Sequence, residues 1–176
     1  MAKYKQRISD KILKRKLQGK GAVLIEGPKW CGKTTTAKQL AESFLDLGDS
    51  MVLKQSVELI ELSPSTLLEG KTPRLIDEWQ VLPAIWDSIR SEIDKRGEPS
   101  QFILTGSSVL PEATQTIHSG TGRFAHIKMR PMSLFESGES NGSVSLADLF
   151  DGKTIEPVSN PLTLDDIAFL TCRGGW

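Results

Sequence analysis

The chain has 176 residues, 38% of them hydrophobic and 25% charged, with Lys+Arg and Asp+Glu both at 22. Those values suit a globular domain of ordinary size and exclude a disordered tail, a fibrous repeat and a protein whose global basic field holds nucleic acid. No run of 18 apolar residues occurs and the N-terminal MAKYKQRISDK has no apolar signal core, so the sequence predicts a cytoplasmic protein with no membrane partner. The two cysteines, Cys31 and Cys172, are too few for a metal site and read as free thiols.

Tyr4 to Leu17 is a basic amphipathic segment. Ile8, Ile12, Leu13 and Leu17 form one stripe, with Lys5, Arg7, Lys11, Lys14, Arg15 and Lys16 elsewhere. It reads as a surface helix docked by its apolar stripe, the alternative being a helix that meets nucleic acid or a membrane surface. Gly19-Lys20-Gly21 ends it. Gly21 to Glu26 is short and apolar, as expected of a buried parallel strand. Gly27-Pro28-Lys29-Trp30-Cys31-Gly32-Lys33-Thr34 follows, a complete G-x-x-x-x-G-K-T pattern. Thr34 to Leu47 then carries Ala37, Leu40, Ala41, Phe44 and Leu45 at spacing that predicts a helix.

The placement of that loop between strand and helix has a chemical meaning. Glycines let the backbone curl so that successive N–H groups point at a polyphosphate, and the helix behind adds partial positive charge. Lys33 would reach the β/γ-phosphates and the Thr34 hydroxyl would ligate Mg²⁺. Gly27, Pro28, Lys29, Trp30, Cys31, Gly32, Lys33, Thr34 and Thr35 are therefore the expected nucleotide-binding residues. Cys31 reads as a small residue tolerated in the loop in preference to a redox group.

Further along, Gly48-Asp49-Ser50 is a predicted turn and Met51-Val52-Leu53 a short strand. Val57 to Leu62 and Thr66 to Leu68 are helical pieces broken by Ser63-Pro64. Pro73 to Glu78 is a strand ending in two carboxylates, at the strand end where ligands of a parallel sheet lie. Asp77 is suited to hold Mg²⁺ beside Thr34, and Glu78 to orient and deprotonate an attacking water. Leu82 to Lys95 is a predicted helix, with Ile85, Trp86, Ile89 and Ile93 on one face, stopped by Gly97. Gln101 to Gly106 is a strand, and a hydroxyl at its end, on Thr105 or Ser107, could sense the γ-phosphate or position the lytic water. Arg123 follows a glycine-rich stretch. It could stabilise charge on a transferring phosphoryl group, in cis or from a neighbouring subunit, or simply open a strand as a surface residue. Arg130 is a weaker candidate for that role, and His118 and His126 are assigned no chemistry. Phe124 to Met129 is a further strand. Strands separated by helices predict an α/β fold, a three-layer α/β/α sandwich around a parallel sheet.

From Ser137 the character changes. Gly138 to Ser143 and Asp151 to Asn160 are loop-like. Ser145 to Phe150 and Thr163 to Leu170 resemble short helices, the second capped by Thr163. Residues 1–136 are thus expected to form the core, with 137–176 leading towards a further domain.

Together the segments GAVLIEGPKWCGKTTTA, RLIDEWQ, FILTGSS, GRFAHIKMRPMSLFESGES and CRGGW resemble the AAA-like branch of P-loop ATPases. Within it they are similar to a widespread prokaryotic family of predicted ATPases. The resemblance covers almost the whole chain. It implies a parallel sheet whose Asp-Glu strand is not adjacent to the loop strand, and a C-terminal domain beyond CRGGW. It also implies Lys33 and Thr34 on phosphate and Mg²⁺, Asp77 on Mg²⁺, Glu78 on water, Thr105 or Ser107 as sensor, and Arg123 as the arginine of the Gly-Arg pair. A helical lid with its second sensor arginine is not found.

The expected function is Mg²⁺-dependent ATP hydrolysis coupled to conformational change. The runner-up is a slow ATP-gated switch acting on DNA or a protein partner, for which the Lys5–Lys16 segment is the local hint. A small-molecule kinase is disfavoured by the lack of an arginine-bearing lid between Gly97 and Gly122. ATP is preferred over GTP because no Asn/Thr-Lys-x-Asp motif occurs. A homo-oligomer is required only if Arg123 works in trans.

Overall fold

The computed structural model describes residues 4–107, 120–154 and 161–175. The chain divides into two compact units. One runs from Ile8 to Arg130 and contains the sheet. The other joins the residues up to Arg7 with those from Pro131 onward.

In the larger unit, α1 (Ile8–Leu17) leads into β1 (Ala22–Gly27), then α2 (Lys33–Lys38) and β2 (Ser43–Asp46). Next come α3 (Ser50–Leu62), α4 (Pro64–Leu67), β3 (Arg74–Asp77) and a 3₁₀ turn over Trp79–Val81. The unit ends with α5 (Ile85–Arg96), β4 (Phe102–Ser107) and β5 (Phe124–Lys128). Among the described residues the strands form one five-stranded sheet in the order β2-β3-β4-β1-β5. Every neighbouring pair is parallel. As expected, β3 is not adjacent to β1; β4 lies between them.

Alternation along the strands splits the core in two. Ala22, Leu24, Ile76, Phe102 and Leu104 face Leu67, Leu68, Ile85, Trp86, Ile89 and Ile93 of α4, α5 and their flanks. Trp86 stacks on Phe124 with ring centroids 4.1 Å apart. The opposite face sends Val23, Ile25, Leu75, Ile103 and Ile127 against Leu13 and Leu17 of α1 and Ala37 of α2. Each such buried aliphatic side chain stabilises the fold by about 1.5–3 kcal/mol. The architecture is the expected α/β/α sandwich. The basic N-terminal helix docks by Leu13 and Leu17, while Lys11, Lys14 and Arg15 remain exposed.

Two expected elements are corrected. The helix after the loop ends at Lys38, not Leu47, because Phe44 and Leu45 belong to β2. Leu45 and Leu47 are buried and Phe44 is exposed, a period of two, and the Glu42 N–H donates to the Pro73 carbonyl (2.9 Å) to begin pairing with β3. Met51-Val52-Leu53 is not a strand but the first turn of α3. Asp49 caps it, accepting from the N–H groups of Met51 (2.8 Å) and Val52 (3.2 Å). Val52, Leu53, Leu59 and Ile60 pack on the core at helical spacing and join the expected Val57–Leu62 piece into the same helix.

In the smaller unit, α6 (Leu134–Ser137), α7 (Leu146–Phe150) and α8 (Leu164–Arg173) are short and start at capping serine or threonine side chains. Arg7 pairs with Glu136 at 3.0 Å, both side chains nearly buried. Met132 N donates to the Gly175 carbonyl at 2.9 Å. Ser108, His118, Ser119, residues 155–160 and Trp176 lie outside the described residues. Among the described residues no helix is long and apolar enough to cross a membrane.

Candidate functional site

Because all strands run the same way, their carboxyl ends share one edge. Gly27 of β1 is level with Ser107 of β4, and Thr105 with Asp77 of β3. Asp46 of β2 is level with Asp77. The glycine loop leaves this edge directly from β1. Gly32 (φ 94°) and Trp30 (φ 65°) adopt left-handed backbone, which reverses the chain into α2. Gly27 is required for a different reason. A Cβ there would collide with the Met129 carbonyl oxygen and lie 3.0 Å from Cys31 Sγ. Cys31 is buried beneath the loop and packs into the α1/α2 core, so its position is structural. Pro28, Lys29, Trp30 and Thr35 are exposed.

Lys33 is buried, and its Nζ donates to the carbonyls of Gly27 (2.9 Å) and Pro28 (3.0 Å) inside the loop. Next to it, the Thr34 hydroxyl donates to Asp77 Oδ1 at 2.9 Å. The fully buried Thr105 hydroxyl donates to the same oxygen. Three elements, α2, β3 and β4, therefore converge on one carboxylate. Hydroxyl and carboxylate oxygens are the hard donors that Mg²⁺ takes, so these residues fit that cation.

Glu78 follows Asp77 in left-handed backbone (φ 53°, ψ 40°) and starts the 3₁₀ turn, its carbonyl accepting from the Val81 N–H at 3.1 Å. A non-glycine residue held there carries strain of roughly 1–3 kcal/mol. Its Oε2 accepts from Gln80 Nε2. Sequence reasoning missed Gln80 and the neighbouring Gly106, since their meeting depends on the pairing of β3 with β4.

Arg123 is not brought to this edge. It precedes Phe124, which is level with Ala22 at the start of β1, and the Ala22 N–H donates to its carbonyl at 3.2 Å. Five residue steps of strand separate that level from Gly27, roughly 17 Å at 3.3 Å per residue. The Arg123 guanidinium instead pairs with Asp94 of α5, both half-exposed. Asp94 holds the guanidinium firmly protonated, and the hydrogen bond from Arg123 pulls the Asp94 carboxyl below its ordinary range. Of the alternatives left open for Arg123, action in cis, action from a neighbouring subunit or a surface role, this position and ion pair do not favour the first. His126 sits on β5 with Nδ1 3.5 Å from Glu26 Oε2, and Arg130 is exposed beyond the strand.

A five-strand parallel sheet in this order, with a glycine loop at the carboxyl end of its β1, defines a P-loop NTPase-like α/β protein. A family model described as an AAA domain matches residues 19–137, and the chain belongs to that family. Membership implies nucleotide binding and ATPase activity. No curated protein matches the chain.

Proposed function

We propose that this protein binds ATP through Gly27–Thr35 and hydrolyses it with Mg²⁺, and that the hydrolysis drives a change of conformation. The observation that carries the reading is the convergence of the Thr34 and Thr105 hydroxyls on Asp77 Oδ1. It ties the first turn after the loop to the carboxylate of β3 through the strand between them. Thr34 and Asp77 would hold Mg²⁺ there, and the ion would neutralise charge on the transferring phosphoryl group. Lys33 keeps its ammonium at the loop, where it balances the charge of the β- and γ-phosphates. Glu78 takes a proton from the attacking water as the new P–O bond forms and the bond to ADP breaks. Thr105 keeps Asp77 oriented. The end of β4 reaches the level of Gly27 through the backbone of Ser107.

Phosphate release from Mg·ATP by the wild type and by Glu78→Gln, with nucleotide affinity measured on both, tests this. Turnover in the wild type, with binding but hardly any turnover in Glu78→Gln, is expected. Undiminished hydrolysis in Glu78→Gln overturns the assignment of the base, and failure of the wild type to bind ATP overturns the whole reading.

The second reading, a slow ATP-gated switch with an anionic partner, is favoured by Lys11, Lys14 and Arg15 standing exposed on α1. It requires DNA binding that falls steeply with added salt. No binding at low salt removes it.

A further inference from the structure

Two consecutive residues of β4 lie against the groups that surround Asp77 and the following Glu78. On one face of the sheet the Thr105 hydroxyl donates to Asp77 Oδ1. The next residue, Gly106, points to the opposite face. There the space that a side chain would occupy is taken: a Cβ on Gly106 would collide with Gln80 Oε1 and lie 3.1 Å from Trp79 Nε1. Gln80 thus lies across β4 at the one position without a side chain, and from there its Nε2 donates to Glu78 Oε2.

The backbone between these residues is fixed as well. Glu78 is held in left-handed conformation, which a residue with a side chain adopts only where its surroundings impose it. The 3₁₀ turn that follows is closed by Val81 N to Glu78 O and Leu82 N to Trp79 O, both 3.1 Å. Trp79 is 3% exposed and packs on Trp86 with centroids 4.9 Å apart. Glu78 and Gln80 therefore leave β3 on a rigid, anchored turn.

We propose that Gln80, admitted by Gly106, is a positioning residue that aims the Glu78 carboxylate at the attacking water. A neutral amide donor fits this task. It restrains one carboxylate oxygen without offering a proton acceptor of comparable basicity, and leaves the other oxygen for the water. The inference rests on the assignment of Glu78 as base, so its test keeps the two separable.

The experiment compares Mg·ATP hydrolysis and nucleotide affinity in full-length wild type, Gln80→Met, Gln80→Glu, Gly106→Ala, Glu78→Gln and the double variant Glu78→Gln/Gln80→Met. Gln80→Met keeps the side chain's length and removes the donor. Its kcat should fall by roughly tenfold to a hundredfold, the scale of a misplaced catalytic group, with KM and affinity changed by less than about twofold. Gln80→Glu, similar in shape but an acceptor, should not rescue. Gly106→Ala, which displaces the amide, should reproduce the same loss of kcat. In the Glu78→Gln background Gln80→Met should change nothing further, because the group it positions is gone.

Wild-type kcat in Gln80→Met, beside an inactive Glu78→Gln, overturns the inference and leaves the base assignment standing. Equal losses in kcat and affinity, with a lowered melting temperature, also overturn it in favour of a purely structural glutamine. Wild-type turnover in Glu78→Gln overturns the base assignment and this inference with it.

Discussion

The Thr34 hydroxyl donates to Asp77 Oδ1 at 2.9 Å, although the strands that deliver the two residues are not neighbours in the sheet. The contact spans β4, and β4 takes part in it through the buried Thr105 hydroxyl on the same oxygen. A displacement of α2 is therefore felt by β3 and β4 together.

Replacement of Asp77 separates its structural and chemical roles. Asp77→Ala leaves the fully buried Thr105 hydroxyl without this acceptor, a loss of about 1–3 kcal/mol in stability. Asp77→Asn retains an acceptor oxygen in nearly the same place and should melt close to wild type. It removes the negative charge proposed to hold Mg²⁺, so hydrolysis should need several-fold more of the cation. Melting curves and an Mg²⁺ titration of phosphate release check both points. An unchanged Mg²⁺ requirement in Asp77→Asn would remove this residue from the metal site.

Gly27→Ala is expected to be the most damaging glycine replacement in the loop. Its Cβ meets the backbone oxygen of Met129, and the Met129 N–H is itself pinned to the Glu26 carbonyl at 2.7 Å. No side-chain rotation can relieve that collision, so destabilisation of about 1–3 kcal/mol and weakened nucleotide binding follow. Gly19→Ala, with nothing within 4 Å of its Cβ, is the control and should be close to neutral. Chemical denaturation of both variants decides the matter, and equal midpoints would contradict the packing argument.

The start of α8 should be sensitive to acid. Thr163 donates to Asp166 Oδ2 through its hydroxyl (2.7 Å) and its backbone N–H (2.8 Å), and those bonds hold the Asp166 carboxyl below its ordinary value. Because the folded value lies below the unfolded one, near 3.9, the contribution is complete above that pH and is lost as pH falls through the lowered folded value. The helix start therefore loosens only in strong acid. A carboxyl-carbon NMR titration should give Asp166 a midpoint below that of an unstructured aspartate. Thr163→Ala should move it up, and an ordinary midpoint in the wild type would contradict the cap.

Features set by a few adjacent residues were legible in the sequence. The glycine loop, the apolar run of β1, the Leu75-Ile76-Asp77 strand and the Gly97 stop of α5 all express their physics within one element. The stretch from Phe44 to Leu53 was not. Phe44 and Leu45 satisfy helical and strand spacing alike, and only pairing with β3 and the Asp49 cap decide between them. Gln80 was invisible because its significance depends on Gly106 passing beneath it from a strand more than twenty residues later. The expected meeting of Thr34 and Asp77 came from chemistry plus the rule that ligands gather at strand ends, whereas the level of Arg123 in the sheet depends on the register of β5 against β1.

That last placement makes a prediction about oligomers. Arg123 directly precedes Phe124, which is level with the amino end of β1 roughly 17 Å of strand from Gly27, and is paired with Asp94. A single chain cannot direct this guanidinium at its own loop without unpicking β5. At dilutions where the protein is monomeric, Arg123→Ala should keep wild-type ATP binding, with turnover within about twofold of wild type. If the arginine acts at all, it acts on another copy. The wild-type rate per chain would then climb with protein concentration, as the rate of Arg123→Ala stays flat. Sedimentation with and without Mg·ATP identifies the concentration at which chains associate. A large loss of turnover in dilute, monomeric Arg123→Ala would contradict the register of β5. A wild-type rate independent of concentration would leave Arg123 as an ion pair that fastens β5 to α5.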